Sequence, residues 1–318
     1  MKILLTTTSF QDTPGPHHEL LASKGYEIVR ARGPLPETKM LGLVGNVDAL
    51  LCGDDEITEA VMKKSLPRLK VISKYGIGLD RIDLENATTL KIPVTYTPGV
   101  NHTSVAEHTF GLMLACSRKI VIEANYVAQG NWKRITGSEL FEKTIGLIGF
   151  GRIAKEVALR AKAFGMRVIV YNRSWENEYS ERFGVERVSE FEALFGASDV
   201  ISIHIPATPE TKALINQETL KMLKPGAIIV NTSRGEIVDK YSIRAALDAG
   251  TLAAYASDVL DQEPPPKDHP LLGSPNCILT PHIGSRTQES VVRQANMSIR
   301  NLFAVLEGKN PEAQANAL

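Results

Sequence analysis

Three ionisable side chains in the second half of the chain stand where they could do chemistry. Arg234 lies in Asn231-Thr-Ser-Arg-Gly235, directly after the apolar run Ala227-Ile-Ile-Val, and so falls at the carboxyl edge of a predicted strand. Glu263 stands in the Pro-rich loop Asp261-Gln-Glu-Pro-Pro-Pro266, which follows Ala256-Ser-Asp-Val-Leu260. His282 follows Thr280-Pro281 and precedes Ile283-Gly284. An Arg fork holds a carboxylate through two parallel bonds. A His beside a carboxylate can give and take a proton near neutral pH. Singly, each residue has a structural reading: Arg234 as a turn cap, Glu263 as a solvated loop charge, His282 as a satisfied buried imidazole.

A cofactor site is written near the middle of the chain, in Thr144-Ile-Gly-Leu-Ile-Gly-Phe-Gly-Arg-Ile-Ala154. The run from Ile145 to Ile148 has no polar face, as a strand buried on both sides requires. Gly149-Phe-Gly-Arg-Ile-Ala154 then reads G-x-G-x-x-A, and Ile153, Val157, Ala158 and Ala161 recur at helical spacing. Between a strand and a helix, Gly149 permits the tight turn, Gly151 lets a pyrophosphate approach the backbone, and Ala154 takes the third position, where helix packs on strand. The first-turn N–H groups and the helix dipole would hold the anion. Without that context the motif would be only a tight turn. With a nicotinamide bound there, the three residues above complete a hydride transfer: Arg234 to hold the carboxylate and carbonyl of a 2-oxo acid, His282 to supply the proton, and Glu263 as its neighbour.

Roughly 20 residues after the Gly turn, an NAD site places an Asp or Glu on the ribose 2′-hydroxyl. The stretch here is Tyr171-Asn172-Arg173-Ser174, with no carboxylate. Asn172 cannot repel a 2′-phosphate, whereas Arg173 and Ser174 can hydrogen-bond one, at about 1.5–3 kcal/mol or one to two powers of ten in affinity. The other reading makes Arg173 a surface charge stacked on the adenine. The stretch favours NADP over NAD.

The surrounding elements alternate. Strands are predicted at 2–7, 26–30, 47–52 and 69–73, with helices at 17–24 and 56–65 between them, which argues for a small parallel α/β domain in the first 95 or so residues. Its last strand runs into Lys74-Tyr-Gly-Ile-Gly-Leu-Asp80, a turn whose N–H groups could face a ligand. Pro98-Gly99 precedes one long amphipathic stretch from Thr103 to about Gln129. Strands at 167–171, 199–203, 227–231, 253–259 and 277–280, with helices at 188–194, 217–223 and 237–249, complete a doubly wound set behind the Gly turn. A final helix is predicted from Thr287 to Glu307, and the polar tail from Gly308 to Leu318 is expected to fray.

Lys and Arg number 36, as do Asp and Glu, so the charge balances and carries no electrostatic footprint for nucleic acid or an acidic membrane. Cys52, Cys116 and Cys277 are widely spaced, which argues against a disulfide framework or structural zinc and for reduced thiols in a cytoplasmic protein. The N-terminal apolar run is too short for a signal peptide, and no segment has the length of a membrane span. His17 and His18 read as a surface loop; His102, His108 and His204 as packing or capping residues; His269 receives no role.

In order and spacing, the G-F-G-R-I-A turn, Asn-Thr-Ser-Arg-Gly-Glu-Ile-Val-Asp239, Asp-Val-Leu-Asp-Gln-Glu-Pro264 and Thr-Pro-His-Ile-Gly284 resemble the D-isomer-specific 2-hydroxyacid dehydrogenases. The resemblance extends to Lys-Tyr-Gly-Ile-Gly-Leu-Asp80 and Ser-Val-Ala-Glu-His108, and so covers nearly the whole chain. It implies two doubly wound parallel-sheet domains: a Rossmann cofactor domain, residues 100–285, inserted in a flavodoxin-like substrate domain made of 1–99 and 286–318. It also implies that Arg234 binds the substrate, that His282 is the general acid/base and that Glu263 is its partner. The cofactor would be lined by Gly149, Gly151, Arg152, Ile153, Asn172, Arg173, Ser174, His204, Pro206, Thr232, Ser233, Asp258 and Gly284. Asp258 would be the buried carboxylate near the nicotinamide amide. The substrate would meet Lys74, Tyr75, Gly76, Ile77 and Gly78, with the N–H groups of Ile77 and Gly78 facing its carboxylate.

Within that family the chain looks most like short phosphoglycerate dehydrogenases and glyoxylate or hydroxypyruvate reductases, with no regulatory domain expected after the last helix. Lys74 either pairs with a second anionic group of the substrate, which would favour a phosphorylated or acidic one, or is solvated. Family members are usually homodimers, and the apolar stretch from Leu112 to Trp132 is the expected interface; a plain core would also explain it. Two other readings stay open: a dinucleotide-sensing binding protein of the co-repressor kind, and a formate or phosphite dehydrogenase.

Overall fold

The computed structural model describes all 318 residues. In chain order the elements are β1 (Lys2–Leu5), α1 (Thr8–Asp12), α2 (His17–Ala22), β2 (Glu27–Arg30), α3 (Glu37–Leu43), β3 (Ala49–Cys52), α4 (Glu59–Ser65), β4 (Val71–Lys74), α5 (Leu84–Thr89) and β5 (Val94–Thr95). Next come α6 (His102–Ser117), α7 (Ile120–Ala128), β6 (Thr144–Ile148), α8 (Arg152–Ala163), β7 (Arg167–Tyr171), α9 (Glu178–Phe183), β8 (Glu186–Arg187), α10 (Phe191–Ala197), β9 (Val200–Ile203), α11 (Gln217–Leu220) and β10 (Ala227–Asn231). The chain ends with α12 (Lys240–Asp248), β11 (Leu252–Ser257), β12 (Cys277–Leu279) and α13 (Gln288–Leu306). Two compact units result, one of Met1–Asn101 with Arg286–Leu318 and one of His102–Ser285. No helix is long and apolar enough to cross a membrane.

The first unit holds a five-stranded parallel sheet in the order β2-β1-β3-β4-β5. Successive side chains of its central strands alternate between faces. Leu4, Leu50 and Ile72 pack with Met40, Val61 and Met62, whereas Ile3, Leu5, Leu51 and Val71 pack against Ala295, Ile299 and Leu302 of α13. Both faces are therefore covered, and the polar alternation of a one-sided sheet is missing from the sequence for that reason.

The second unit holds seven parallel strands in the order β12-β11-β10-β9-β6-β7-β8. Phe110 and Met113 of α6 and Val157, Ala158 and Ala161 of α8 cover one face, while Leu194 and Phe195 of α10 and Ile243 and Leu247 of α12 cover the other. The two sheets are the flavodoxin-like and Rossmann doubly wound arrangements respectively.

Three expectations are corrected. The stretch from 103 to 129 is two helices rather than one: Lys119 adopts a left-handed φ of 57°, and α7 beyond it has no buried residue, because the contacts that bury α6 end at Ser117. His17 is not a surface residue; it is fully buried in α2, its Nε2 lies 3.0 Å from the Phe10 carbonyl, and burial lowers its pKa. The C-terminal tail is docked. Asn316 accepts from Val94 N–H at 2.9 Å and donates to Ile92 C=O at 2.9 Å, while Ala315 N–H donates to Val94 C=O at 2.7 Å, so the tail satisfies the outer edge of β5.

Candidate active site

The parallel strands of the second unit all end on the sheet edge that carries the Gly turn. Gly149 sits at φ 91°, and a Cβ there would lie 2.5 Å from the His204 carbonyl oxygen, so only glycine lets β6 turn beside the end of β9. At Gly151 a Cβ would meet nothing within 4 Å and would project into open space at the N-terminus of α8. That opening, with the helix's free N–H groups beside it, fits a dinucleotide diphosphate. Ala154 is fully buried against the sheet, which accounts for a small residue at the third motif position. Arg152 is exposed and Ile153 half-buried in the first turn of the same helix.

Asn172, immediately after β7, is tied to the turn. Its Oδ1 accepts from Phe150 N–H at 3.3 Å, and its Nδ2 donates to the Ser174 carbonyl. Arg173 and Ser174 beside it are exposed. At the end of β9, His204 Nε2 lies 2.8 Å from Ser202 Oγ, and burial pushes its imidazole down to about 3, so the ring is neutral at working pH. Pro206 follows on the surface.

The Arg234 segment after β10 is shaped by its own polar groups. Asn231 accepts from Ser233 N–H at 3.0 Å and donates to the Arg234 carbonyl at 2.9 Å, and Ser233 Oγ donates to Ile205 C=O at 2.8 Å. Thr232 Oγ1 lies 2.9 Å from Thr109 Oγ1 of α6. Arg234 donates from Nη1 to the Ser233 carbonyl at 2.7 Å.

Asp258, after β11, is buried and accepts from Thr280 Oγ1 at 2.6 Å, Ile283 N–H at 2.9 Å and Gly284 N–H at 2.7 Å, with His108 Nε2 at 3.3 Å. Burial alone would raise its pKa, but the donors, His108 and Thr280 first among them, outweigh it and hold the carboxyl below its usual value. The same carboxylate therefore organises the strand end that presents His282, whose N–H donates to the Asp258 carbonyl at 2.9 Å and whose φ is 53°.

His282 Nδ1 lies 2.7 Å from Glu263 Oε2, and Glu263 Oε1 accepts from Leu260 N–H at 2.9 Å. Carboxylate and imidazole are thus mutually oriented through Nδ1. Behind them, Asp261 is held by Lys240 Nζ at 2.6 Å and by His269 Nε2 at 2.9 Å, and Leu271 N–H donates to His269 Nδ1 at 3.3 Å. His269, given no role from sequence, pins the loop that carries Glu263. His108, Thr109 and Thr280 were likewise missed as site residues; His108 had a signal only in its place within Ser-Val-Ala-Glu-His108.

In the first unit, the turn after β4 is built by Tyr75, Gly76, Ile77 and Gly78. Tyr75 is buried, its hydroxyl 3.3 Å from Ser9 Oγ and pushed up to about 12 by burial. Gly76 lies at φ 131°, and its N–H donates to Thr97 Oγ1 at 2.9 Å. Ile77 is exposed. Lys74 is not solvated: its Nζ donates to Asp54 Oδ1 at 2.6 Å and to the Gly53 carbonyl at 2.6 Å.

A Gly turn open to a diphosphate, at the end of the first strand of a doubly wound sheet, makes the second unit a dinucleotide-binding unit. Comparison with known proteins takes this further. Residues 110–284 match the family described as "D-isomer specific 2-hydroxyacid dehydrogenase, NAD binding domain". The chain is 40% identical to the glyoxylate reductase of Thermofilum pendens over 89% of its own length and 85% of that protein. It is 38% identical to the D-3-phosphoglycerate dehydrogenase of Methanocaldococcus jannaschii over 99% of its length and 59% of that protein. The crystal structure of TT0316 protein from Thermus thermophilus superposes with a TM-score of 0.90 at 39% identity, covering 99% of this chain and 100% of that one. The chain belongs to the D-isomer specific 2-hydroxyacid dehydrogenase family, and it is a nicotinamide-dependent oxidoreductase of that class.

Proposed function

We propose that the protein reduces a small 2-oxo acid of the glyoxylate or hydroxypyruvate kind to the corresponding 2-hydroxy acid, of D configuration where the product is chiral, and runs the reverse reaction when product accumulates. The observation that carries this reading is the 2.7 Å pairing of His282 Nδ1 with Glu263 Oε2, on the same carboxyl edge of the parallel sheet as the Gly turn. A nicotinamide dinucleotide held in the second unit would supply hydride for the carbonyl carbon. His282 delivers the proton from Nε2 to the carbonyl oxygen as that oxygen gains electrons, while Glu263 stabilises the imidazolium and fixes its orientation. Arg234 holds the substrate through its guanidinium. Asp258 would serve the nicotinamide side of the cofactor site through the strand end that it holds. In the first unit, the N–H groups of Ile77 and Gly78 serve a carboxylate. Arg152, Ile153, Pro206, Thr232, Ser233 and Gly284 line the cofactor, and Arg173 with Ser174 favours NADPH over NADH.

The reading includes a homodimer. Ile120, Val121 and Val127 of α7, together with Trp132 at 76% exposure, form an apolar surface of the kind that a second copy covers.

A panel of glyoxylate, hydroxypyruvate, pyruvate and 3-phosphohydroxypyruvate, each with NADH and NADPH, tests the assignment. Turnover of glyoxylate or hydroxypyruvate is expected. His282→Gln should lower kcat by about 10²–10⁴-fold, the usual range for losing a general acid, with cofactor affinity retained. Cofactor binding without turnover of any carbonyl substrate would overturn the proposal.

A further inference from the structure

The carboxyl edge of the first unit's sheet carries an ion pair with its carboxylate outermost. Lys74 closes β4 and leads into the turn at 75–78, so on sequence it is the cation available to a second anionic group of the substrate. Its side chain is only 4% exposed and is bonded to Asp54 and to the Gly53 carbonyl, each at 2.6 Å. The stem lies under the turn, for a Cβ placed on Gly76 would be 3.3 Å from Lys74 Cε. Cys52 and Lys74 are register partners on β3 and β4, and Tyr75 N–H donates to the Cys52 carbonyl at 2.8 Å. Gly53-Asp54 and Tyr75-Gly76 therefore leave neighbouring strands side by side.

Asp54 is the outer member of the ion pair, 55% exposed against the 4% of its partner. The next residue, Asp55, adds no positive charge; it is buried and committed to Thr6, Leu35 N–H and Gly53 N–H. A ligand at the turn meets a carboxylate, with the ammonium spent behind it. Using Lys74 on a ligand would require breaking two short bonds in a buried place and leaving Asp54 beside the incoming anion.

We infer that Asp54 is a specificity-determining residue: it selects 2-oxo acids whose side chain is uncharged and rejects those bearing a phosphate or a second carboxylate. The inference rests on the reading above that this turn takes the substrate's carboxylate.

Hydroxypyruvate and its phosphate ester differ only in the group at issue. Their kcat/KM values, measured at fixed ionic strength with saturating cofactor, give a discrimination ratio for the wild type, Asp54→Asn, Asp54→Ser and the charge-retaining Asp54→Glu. The ratio of phosphate ester to hydroxypyruvate should rise about ten- to hundredfold in Asp54→Asn, chiefly through KM, and stay near wild type in Asp54→Glu, as removal of like-charge repulsion predicts. Asp54→Ser carries the same comparison if the Asn variant does not fold. Turnover of both compounds with a ratio that neither neutral variant raises overturns the inference alone. Turnover of glyoxylate by the wild type but of neither of these compounds overturns the inference alone, and turnover of none of the carbonyl substrates overturns the functional reading and the inference with it.

Discussion

His108 Nε2 lies 3.0 Å from the Thr280 hydroxyl, and that hydroxyl donates to Asp258 at 2.6 Å. The helix α6 thereby reaches, through Thr280 and through His108 itself at 3.3 Å, the carboxylate that holds the N–H groups of Ile283 and Gly284 and the strand end bearing His282. Because Thr280 donates to Asp258, its oxygen must accept from His108, which places a hydrogen on Nε2. Losing a donor to a buried carboxylate costs about 1.5–3 kcal/mol. His108→Phe should lower kcat about tenfold or more with a smaller change in substrate KM, and His108→Gln, which keeps an N–H at similar reach, should recover part of it. Steady-state constants of the two variants decide: equal losses in both would mean the hydrogen bond is not what matters.

The two glycines of the turn should fail differently. Gly149→Ala places a methyl 2.5 Å from the His204 backbone carbonyl oxygen at φ 91°, so the variant should unfold at markedly lower temperature. Gly151→Ala has room for its methyl in the fold but fills the space offered to the diphosphate. It should melt close to wild type and bind NADH and NADPH about tenfold or more weakly. Thermal unfolding and fluorescence titration of the cofactor separate the two effects, and a Gly151→Ala protein with wild-type affinity would show that the diphosphate lies elsewhere.

Much of the architecture was legible because parallel sheets covered on both faces leave unbroken apolar runs: 167–171 and 227–231 read as strands to the residue. The catalytic candidates were legible for a related reason, since each follows such a run. What escaped depends on partners distant in sequence. Asn316 looks like tail composition until Val94 and Ile92, more than 200 positions earlier, lend it a donor and an acceptor. Lys119 is an ordinary helix former, and only the end of the packing surface beyond Ser117 breaks the long helix there. Lys74 showed its charge in the sequence but not Asp54, which cancels it from the adjacent strand.

Acid should destabilise the fold in a window set by His204. Burial depresses its pKa from 6.5 to about 3, so the unfolded chain takes up the proton first as pH falls. The stabilisation is complete above pH 6.5 and is lost progressively towards pH 3. His17, also lowered by burial, acts in the same direction. Asp258 is lowered from 3.8, so its stabilisation is present above that value and is lost only below it. The melting temperature of the wild type should therefore fall between pH 6.5 and 4, and that of His204→Gln should fall less steeply over the same range. Parallel slopes would mean that His204 is not the group responsible.

Cofactor choice turns on the residues after β7. Asn172 is engaged with Phe150 N–H and the Ser174 carbonyl, so it shapes the turn and leaves the exposed Arg173 as the group able to meet a 2′-phosphate. Glu210 is the competing charge: its carboxyl is lowered chiefly by the Thr208 hydroxyl, with a smaller contribution from Arg173. On the proposed reading, a 2′-phosphate has to draw the guanidinium against a nearby carboxylate, which weakens its pull on the phosphate. Arg173→Ala should raise KM for NADPH about tenfold and leave NADH nearly unchanged, in keeping with one charge-assisted bond. Glu210→Gln should move the ratio the other way, towards NADPH, by a smaller factor. Kinetic constants for both cofactors in the two variants settle the matter, because Arg173 stacked on the adenine would penalise both cofactors alike, whereas Arg173 on the phosphate penalises one.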